Sequence, residues 1–540
     1  NYYVEPLTDS NYLSVASMSE SLDTDVLAAI AESGNIGTAF PEAFDSASSE
    51  KDYYIETVEQ FKYFQAAAET NTFEGITIHL AANIDWDGED FFGIGSADAP
   101  FKGTFNGHGY AITKYTSYGN GLFFAVEGAT IKNLAIGSAK VTLEDEFSNV
   151  GILVNEANGA TIENVVIASS KITTSEAETS AIAGMIGKVT GAVSITNSDV
   201  KRLTIKTAGM TSAVGGFVGQ ADAAVTISAS DIANSYIRST YASTTEYVTY
   251  FGGIVGYATA AVNATDVDAA AMNIQFASVV KGVGTIAGYL TGDASSFEDC
   301  DVAVTRIVTT AKNDTTGYEV NHVGGFVGCV DSDSTFVDCH VANGTIKPQG
   351  RTNNLGGFIG STRSEVILDK PLSGKVTIDA CTVANVTAKT ASNRACGKLG
   401  GLVGLVGEGV SVTNCIVDGF TGPQNTNSSD VAGLIGNVYA TDGSATVVAS
   451  NIVNNINVSG KNYLGTVIGR STATNGTLEE LYYTNVTLNQ PSGGNVYECA
   501  GAKTPTAEEL ASAEMAWKLN TINGTVTNTL TWAQGQTRPV

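Results

Sequence analysis

Short runs in which apolar and polar residues alternate recur along most of this chain. Examples are ATIKNLAI at 129–136, ATIENVVI at 160–167, VSITNSDV at 193–200, VTIDACTV at 376–383 and VSVTNCIV at 410–417. A second short run follows each, such as VTL at 141–143, KITTS at 171–175, GTIKP at 344–348 or NVTAKT at 385–390. Alternation with period two is the pattern of half-buried strands. A glycine–apolar motif precedes each set: GLFF at 121–124, GILV at 151–154, GMIG at 184–187, GFVG at 216–219 and GIVG at 253–256. It continues as TIAG at 285–288, GFVG at 325–328, GFIG at 357–360, GLVG at 401–404, GLIG at 433–436 and TVIG at 466–469. Successive copies lie 30, 33, 32, 37, 32, 40, 32, 44, 32 and 33 residues apart. A near-constant period with elastic spacers is the mark of a solenoid. Three short strands per repeat predict one coil of a right-handed parallel β-helix, about 11–13 coils in all.

The period assigns roles to residues. The motif glycines are expected where the chain turns sharply and packs against its neighbours, glycine accepting positive φ without strain. Asn133, Asn164, Asn197, Asp299, Asp338 and Asn414 fall nine to eleven residues after the motif and predict a hydrogen-bonded turn ladder. Cys300, Cys339, Cys381 and Cys415 share one strand position and are expected to stack inward as buried thiols, with oxidation of stacked neighbours to disulfides the alternative.

The ends break the pattern. TVEQFKYFQAAAE at 57–69 reads as a helix with a Thr57/Gln60 capping box, and TAEELASAEMAWKLN at 506–520 as another with Thr506 and Glu509 in those roles. Helices there would cover the open strand edges of a solenoid. The organisation expected is an arm or linker at 1–51, an N-terminal cap with opening coils at 52–115, the coils proper at 116–500 and a C-terminal cap at 501–540. TDVLAAIAESG at 24–34 reads as a short helix within the arm. The chain begins at Asn1 without a signal peptide and reads as a mature or excised piece.

Composition narrows the partners. The 540 residues include 28 basic and 55 acidic side chains, a net charge of −27, yet only 15% are charged. Nucleic acid is a poor partner for such a chain, because phosphate binding needs clustered Lys and Arg. No apolar run reaches the roughly 18 residues of a membrane span.

The glycine–apolar copies, each followed by a segment of the type IENVVI or VTNCIV, resemble the bacterial GLUG-motif repeat. The stretch 83–115 is similar to the opening coils of such proteins, with Asp85, Trp86, Phe91 or Phe92, Ile94 and Gly95, then Phe101, Gly103, Phe105, Gly107 and Gly109. LASAEMAWKLN and WAQGQTRPV at 532–540 resemble their closing segment. The resemblance covers roughly 55–540 and implies a β-helix of a secreted or surface-bound bacterial protein. Such repeats occur in adhesin-like proteins and as accessory regions of surface proteases.

Candidate chemistry is sparse. The four histidines, His79, His108, His322 and His340, form no HExxH or paired metal spacing. Cys339 and His340 are adjacent and point to opposite strand faces, so they cannot act as a dyad. Asp85, Asp87, Glu89 and Asp90 bunch in one loop and are the weak candidates for calcium, the one cofactor considered. Smaller acidic groups are Asp331 with Asp333, and Glu144 with Asp145 and Glu146. Carboxylates paired across coils, Asp338 or Asp379 among them, are what a polysaccharide-cleaving β-helix would need. Nine Asn-x-Ser/Thr sequons, at Asn263, Asn313, Asn343, Asn385, Asn427, Asn457, Asn475, Asn485 and Asn523, are candidate glycosylation sites.

The expectation is therefore a non-catalytic extracellular stalk or adhesin. It would bind a cell-surface or matrix protein or glycan through loops near 238–250, 312–322 and 365–398, where the spacers lengthen. A filament subunit that adds residues 1–20 as a strand to a copy of itself, and a polysaccharide-active enzyme, are the alternatives.

Overall fold

The computed structural model describes residues 37–526, apart from 145–146, 177, 243–248, 278, 310–319, 364–374, 391–394, 425–426, 440–445, 473–475, 491–494, 498, 500–501, 520 and 523–524. The arm helix expected at 24–34, the strand-donating segment 1–20 and the closing 532–540 lie outside the described residues. The chain divides into two compact units. Among the described residues, one comprises 37–241 and 253–263, the other 242–252 and 264–526.

Each unit is a parallel β-helix. In the first, a coil runs through strands Thr211–Gly215, Val218–Ala221, Val225–Ser228, Ile232–Ala233 and Tyr236–Ser239. In the second, the same course is Val320–Gly324, Val327–Asp331, Ser334–Val337, His340–Ala342 and Thr345–Lys347. In these coils five short strands replace the three expected, while Phe123–Gly137, Val154–Ala168 and Thr446–Ser459 run on as single long strands. Each segment read as one eight-residue strand is bent by a residue in the left-handed region: Asn197 has φ 49°, Ala229 47°, Asp299 51° and Asp338 51°. A second bend follows a few residues later, at Ser169, Arg202 and Asn234 in one unit and Asn343 and Asn385 in the other.

Register is one-to-one between coils, so inward side chains stack on their own kind. Ile131, Ile162, Ile195 and Ile227 form one column, and Val141, Ile172, Ile205 and Ile237 another, all buried. In the second unit Phe297, Phe336, Ile378, Val412 and Val448 do the same. The rings of Phe297 and Phe336 stack at 5.1 Å and those of Phe326 and Phe358 at 4.6 Å. Burial stabilises each such side chain by about 1.5–3 kcal/mol.

The motif glycines serve proximity rather than left-handed backbone. None of them has positive φ. A Cβ on Gly216 would stand 2.0 Å from the carbonyl oxygen of Gly253, and on Gly325, Gly357 and Gly401 equally close to the next coil's Gly357, Gly401 and Gly433. The left-handed positions fall mostly to Asn, Asp and Ser, which adopt that region more readily than other side chains, with Arg202, Ala229, Val304 and Ala380 among the exceptions.

Helix α1 (Val58–Ala68) forms as read, with Thr57 and Gln60 in a reciprocal capping box. Its Phe61 and Phe64 are buried against Trp86, Phe101 and Phe105 of the opening coils. The closing helix divides in two, α2 (Ala507–Leu510) and α3 (Ala513–Leu519). The hydroxyl of Ser512 accepts from the Met515 amide and starts the second piece, while Thr506 and Glu509 cap the first. Met515 and Leu519 pack on Ile452 and Tyr482. Among the described residues no helix is long and apolar enough to cross a membrane.

Candidate functional site

All six residues of the expected turn ladder adopt φ between 49° and 57°, but the column is interrupted by Ala229 and Ala380, and the bond seen between two of the six joins Asn133 and Asn164. Asn164 Nδ2 donates to Asn133 Oδ1 at 3.0 Å, and Asn133 Nδ2 to Asn106 Oδ1 at 3.1 Å. Asn414 donates to Asp379 at 2.7 Å. The second bend carries its own ladder, in which Asn385 donates to Asn343 and Asn485 to Asn455. Sequons arise here from fold logic. Asn343, Asn385 and Asn485 occupy left-handed bends with exposed side chains, and Thr345, Thr387 and Thr487 stand two residues on, at outward positions of the following strand. Asn263 is half-buried, and Asn427 and Asn457 are exposed. Asn313, Asn475 and Asn523 lie outside the described residues.

All seven cysteines are buried and none is in a disulfide. Cys339 and Cys381 sit in turns between strands, and their Sγ atoms donate to Val337 and Asp379 carbonyls at 3.3 Å. Burial pushes the Cys381 and Cys415 thiols up, and that of Cys396 to about 12, which keeps them inert. Cys339 faces the core while the half-buried His340 ring meets the Thr382 hydroxyl at 2.8 Å and Asp338 at 3.3 Å, so the pair forms no dyad.

Stacking creates two clusters that residue spacing alone concealed. His79 and His108, one coil apart, bring Nδ1 and Nε2 within 2.7 Å, and His79 Nε2 lies 3.1 Å from Asp52 Oδ1. With Asp52 accepting from His79 Nε2–H, the His108 Nε2–H must donate to His79 Nδ1. The buried Nδ1 of His108 then keeps a bare lone pair. Burial first, then the His79 charge, lowers His108 to about 4. The spacing of 29 residues, one opening coil, was the signal.

In the second unit Asp266, Asp268, Asp299, Asp301 and Asp338 crowd three successive coils. The Asp301 amide donates to Asp268 Oδ1 at 3.1 Å. Burial, then neighbouring carboxylates, raises both Asp268 and Asp301 to about 6.

The candidate calcium loop is not gathered round a point. Asp85 pairs with Lys114 at 2.6 Å and accepts from the Asp87 amide, which holds its carboxyl below the usual range. Glu89 pairs with Lys62 at 2.8 Å, and Asp90 lies in a strand paired to Thr116. Among the described residues no three acidic, His or Cys side chains are placed to share a metal ion. Asp333 accepts the Lys375 amide and Asp379 the Thr413 hydroxyl; Asp145 and Glu146 lie outside the described residues.

Of the expected recognition loops, 243–248, 312–319, 365–374 and 391–394 lie outside the described residues. The rest of the longest is not loop. Val376–Asp379, Thr382–Ala384 and Thr387–Ala388 are strands in ordinary register, because that spacer holds a full set of alternating segments. Two of these segments lead into strands Val320–Gly324 and Cys396–Gly400. On them and their neighbours His322, Asn354, Lys398 and Asp430 are successive Cα partners. His322 and Asn354 are buried and 3.0 Å apart, and Asn437 donates to the buried Asp430. This is a polar row held from coil to coil beside the glycine corner.

No family model and no curated protein matches the chain. A solved structure of an IgA1 protease is similar at 16% identity over 66% of this chain, with a TM-score of 0.28. The match spans 22% of that protein's length.

Proposed function

We propose that this protein is a non-catalytic extracellular solenoid, a stalk or adhesin that engages a cell-surface or matrix protein or glycan along its side. The observation that supports this reading is the outward face of the coils. Thr130, Thr161, Ser194 and Thr226 form one outward column, with Lys132, Glu163, Thr196 and Ser228 beside it. The bend beside them is tied coil to coil by Asn106, Asn133 and Asn164. Such a surface is rigid and periodic, and it suits an extended ligand without ordering cost on the protein's side. The GLUG resemblance and the extracellular address rest on sequence motifs and belong to the same proposal.

The test pairs solid-phase binding to cell-wall, matrix and polysaccharide panels with an assay for new reducing and unsaturated chain ends. Saturable binding without new ends is the expected result. Steady release of either kind of end from any polymer overturns the non-catalytic reading.

A further inference from the structure

In the first unit, six strands stack in register: Asp90–Phe91, Thr116–Ser117, Lys140–Leu143, Lys171–Thr174, Thr204–Thr207 and Tyr236–Ser239. Their inward residues, among them Phe91, Val141, Ile172, Ile205 and Ile237, are buried. Their outward residues make two columns. One runs Asp90, Thr116, Lys140, Lys171, Thr204, Tyr236, and the other includes Thr142, Thr173, Lys206, Arg238.

Lys140, Lys171, Lys206 and Arg238 thus place one exposed cation on each of four consecutive coils. At a strand spacing of about 4.8 Å they reach roughly 15 Å along the axis. Each is without an ion pair among the described residues, whereas Lys62, Lys102, Lys114, Lys188 and Lys201 of the same unit each hold a carboxylate. Lys51, Lys132 and Arg202 of this unit hold no carboxylate either; what sets the four apart is that they stand on consecutive coils of one stacked sheet, in a chain of net charge −27. Acidic side chains stand at its margins, Asp90 at one end and Glu144 and Glu176 beyond the ends of their strands.

The same face begins with aromatic rings. Phe92 and Tyr118 each follow the last residue of a paired strand and are 75% and 54% exposed. The described residues include only two other large apolar side chains so exposed, Val304 and Trp517.

We propose that this strip binds a linear anionic polysaccharide, its carboxylates or sulfates on the four cations and a sugar ring against Phe92 or Tyr118. This rests on the surface-binding reading above and names its ligand class. Charge density selects the polymer. A nucleic-acid strand carries one phosphate per about 3.4 Å, denser than one cation per coil, and its excess charge would face an acidic protein. A polymer with at most one anionic group per sugar matches the sparser file. Flat aromatic surfaces suit the apolar faces of pyranose rings.

The test measures retention of the full chain on immobilised polygalacturonate and chondroitin sulfate, each with about one anionic group per sugar, as salt is raised, with dextran and single-stranded DNA as comparison polymers. The wild type is expected to bind both acidic polysaccharides and elute with salt. The Lys140→Glu/Lys171→Glu/Lys206→Glu/Arg238→Glu variant is expected to lose binding by more than tenfold. A milder set with Gln at the four positions should lower the slope of log affinity against log salt by about two to three. Phe92→Ala/Tyr118→Ala should weaken binding while leaving that slope unchanged. Circular dichroism and melting confirm folding, and the Gln set serves if the Glu set unfolds. Undiminished binding in the folded variants, equal binding to dextran, or tighter binding to DNA than to polygalacturonate each overturns the proposal. None of these touches the non-catalytic reading, which only release of chain ends overturns.

Discussion

Replacing Gly357 by alanine asks one coil for room that it does not have. The added Cβ would lie 2.0 Å from the Gly401 carbonyl oxygen and 2.9 Å from Val383 Cγ1. Cβ contacts under 3.0 Å essentially do not occur, so the coils must part by at least 3.0 − 2.0 = 1.0 Å. Two bonds span that gap, Gly357 N–H to Gly400 at 3.2 Å and Phe358 N–H to Leu402 at 2.9 Å. An ångström of opening breaks both, at about 1 kcal/mol each, and overpacking adds about 1–3 kcal/mol. The expected loss is roughly 3–5 kcal/mol, and in a solenoid it falls on the coils that touch. Hydrogen exchange by mass spectrometry reads it directly. Amides near 357–359 and 401–403 should exchange about a hundredfold faster or more. Gly344 is the control: its Cβ would meet Val386 at 3.5 Å, ordinary contact, and its φ is not left-handed. Gly344→Ala should be neutral or slightly stabilising. A Gly357→Ala protein within about 0.5 kcal/mol of wild type, with unchanged exchange at both segments, would refute the close-approach account of the motif.

Three further outcomes follow from the buried groups. Native protein should leave its thiols unlabelled by iodoacetamide at pH 8, while denatured protein labels all seven cysteines; rapid native labelling of Cys339 or Cys381 would contradict the inward stack. His108 is held near 4 in the folded chain against about 6.5 unfolded, so the unfolded state takes up the extra proton between those values. Its contribution is whole above about pH 6.5 and is lost as pH falls toward 4; His108→Gln should flatten the acid side of a melting-temperature profile in that window. Asp268 and Asp301 act in the opposite sense, since raised carboxyl values make the folded state the better proton binder. Their contribution is present below about pH 4 and lost as pH rises through about 6. Asp301→Asn should therefore stabilise by about 1 kcal/mol at pH 7.5, after allowance for solvent screening, and by little at pH 4; equal effects at both pH values would argue against a raised Asp301 carboxyl.

Much of this architecture was legible in one dimension. The Thr57/Gln60 box follows from its local Thr-x-x-Gln signature, and the Asn133–Asn164 bond and the inward cysteines from position within the period. The count of strands per coil did not, because a single left-handed residue such as Asn197 interrupts a segment without disturbing its alternation. Asp85 and Glu89 looked like one acidic loop by proximity along the chain, yet each turns to a different lysine. The His79–His108 contact was missed because its partners belong to opening coils that lack the glycine motif and so were not aligned with the repeat.

The sequence by itself determined that this chain is a solenoid, where each coil begins, and which side chains face inward. Period and alternation are local properties, written in every copy. Beyond the Asn133–Asn164 turn, tertiary structure decided which outward residues meet, because a meeting depends on register between residues some thirty positions apart. That register turns Lys140, Lys171, Lys206 and Arg238 from four scattered cations into one file. It also makes glycine necessary in the motif, where the limit is the carbonyl of the next coil rather than the torsion of its own backbone.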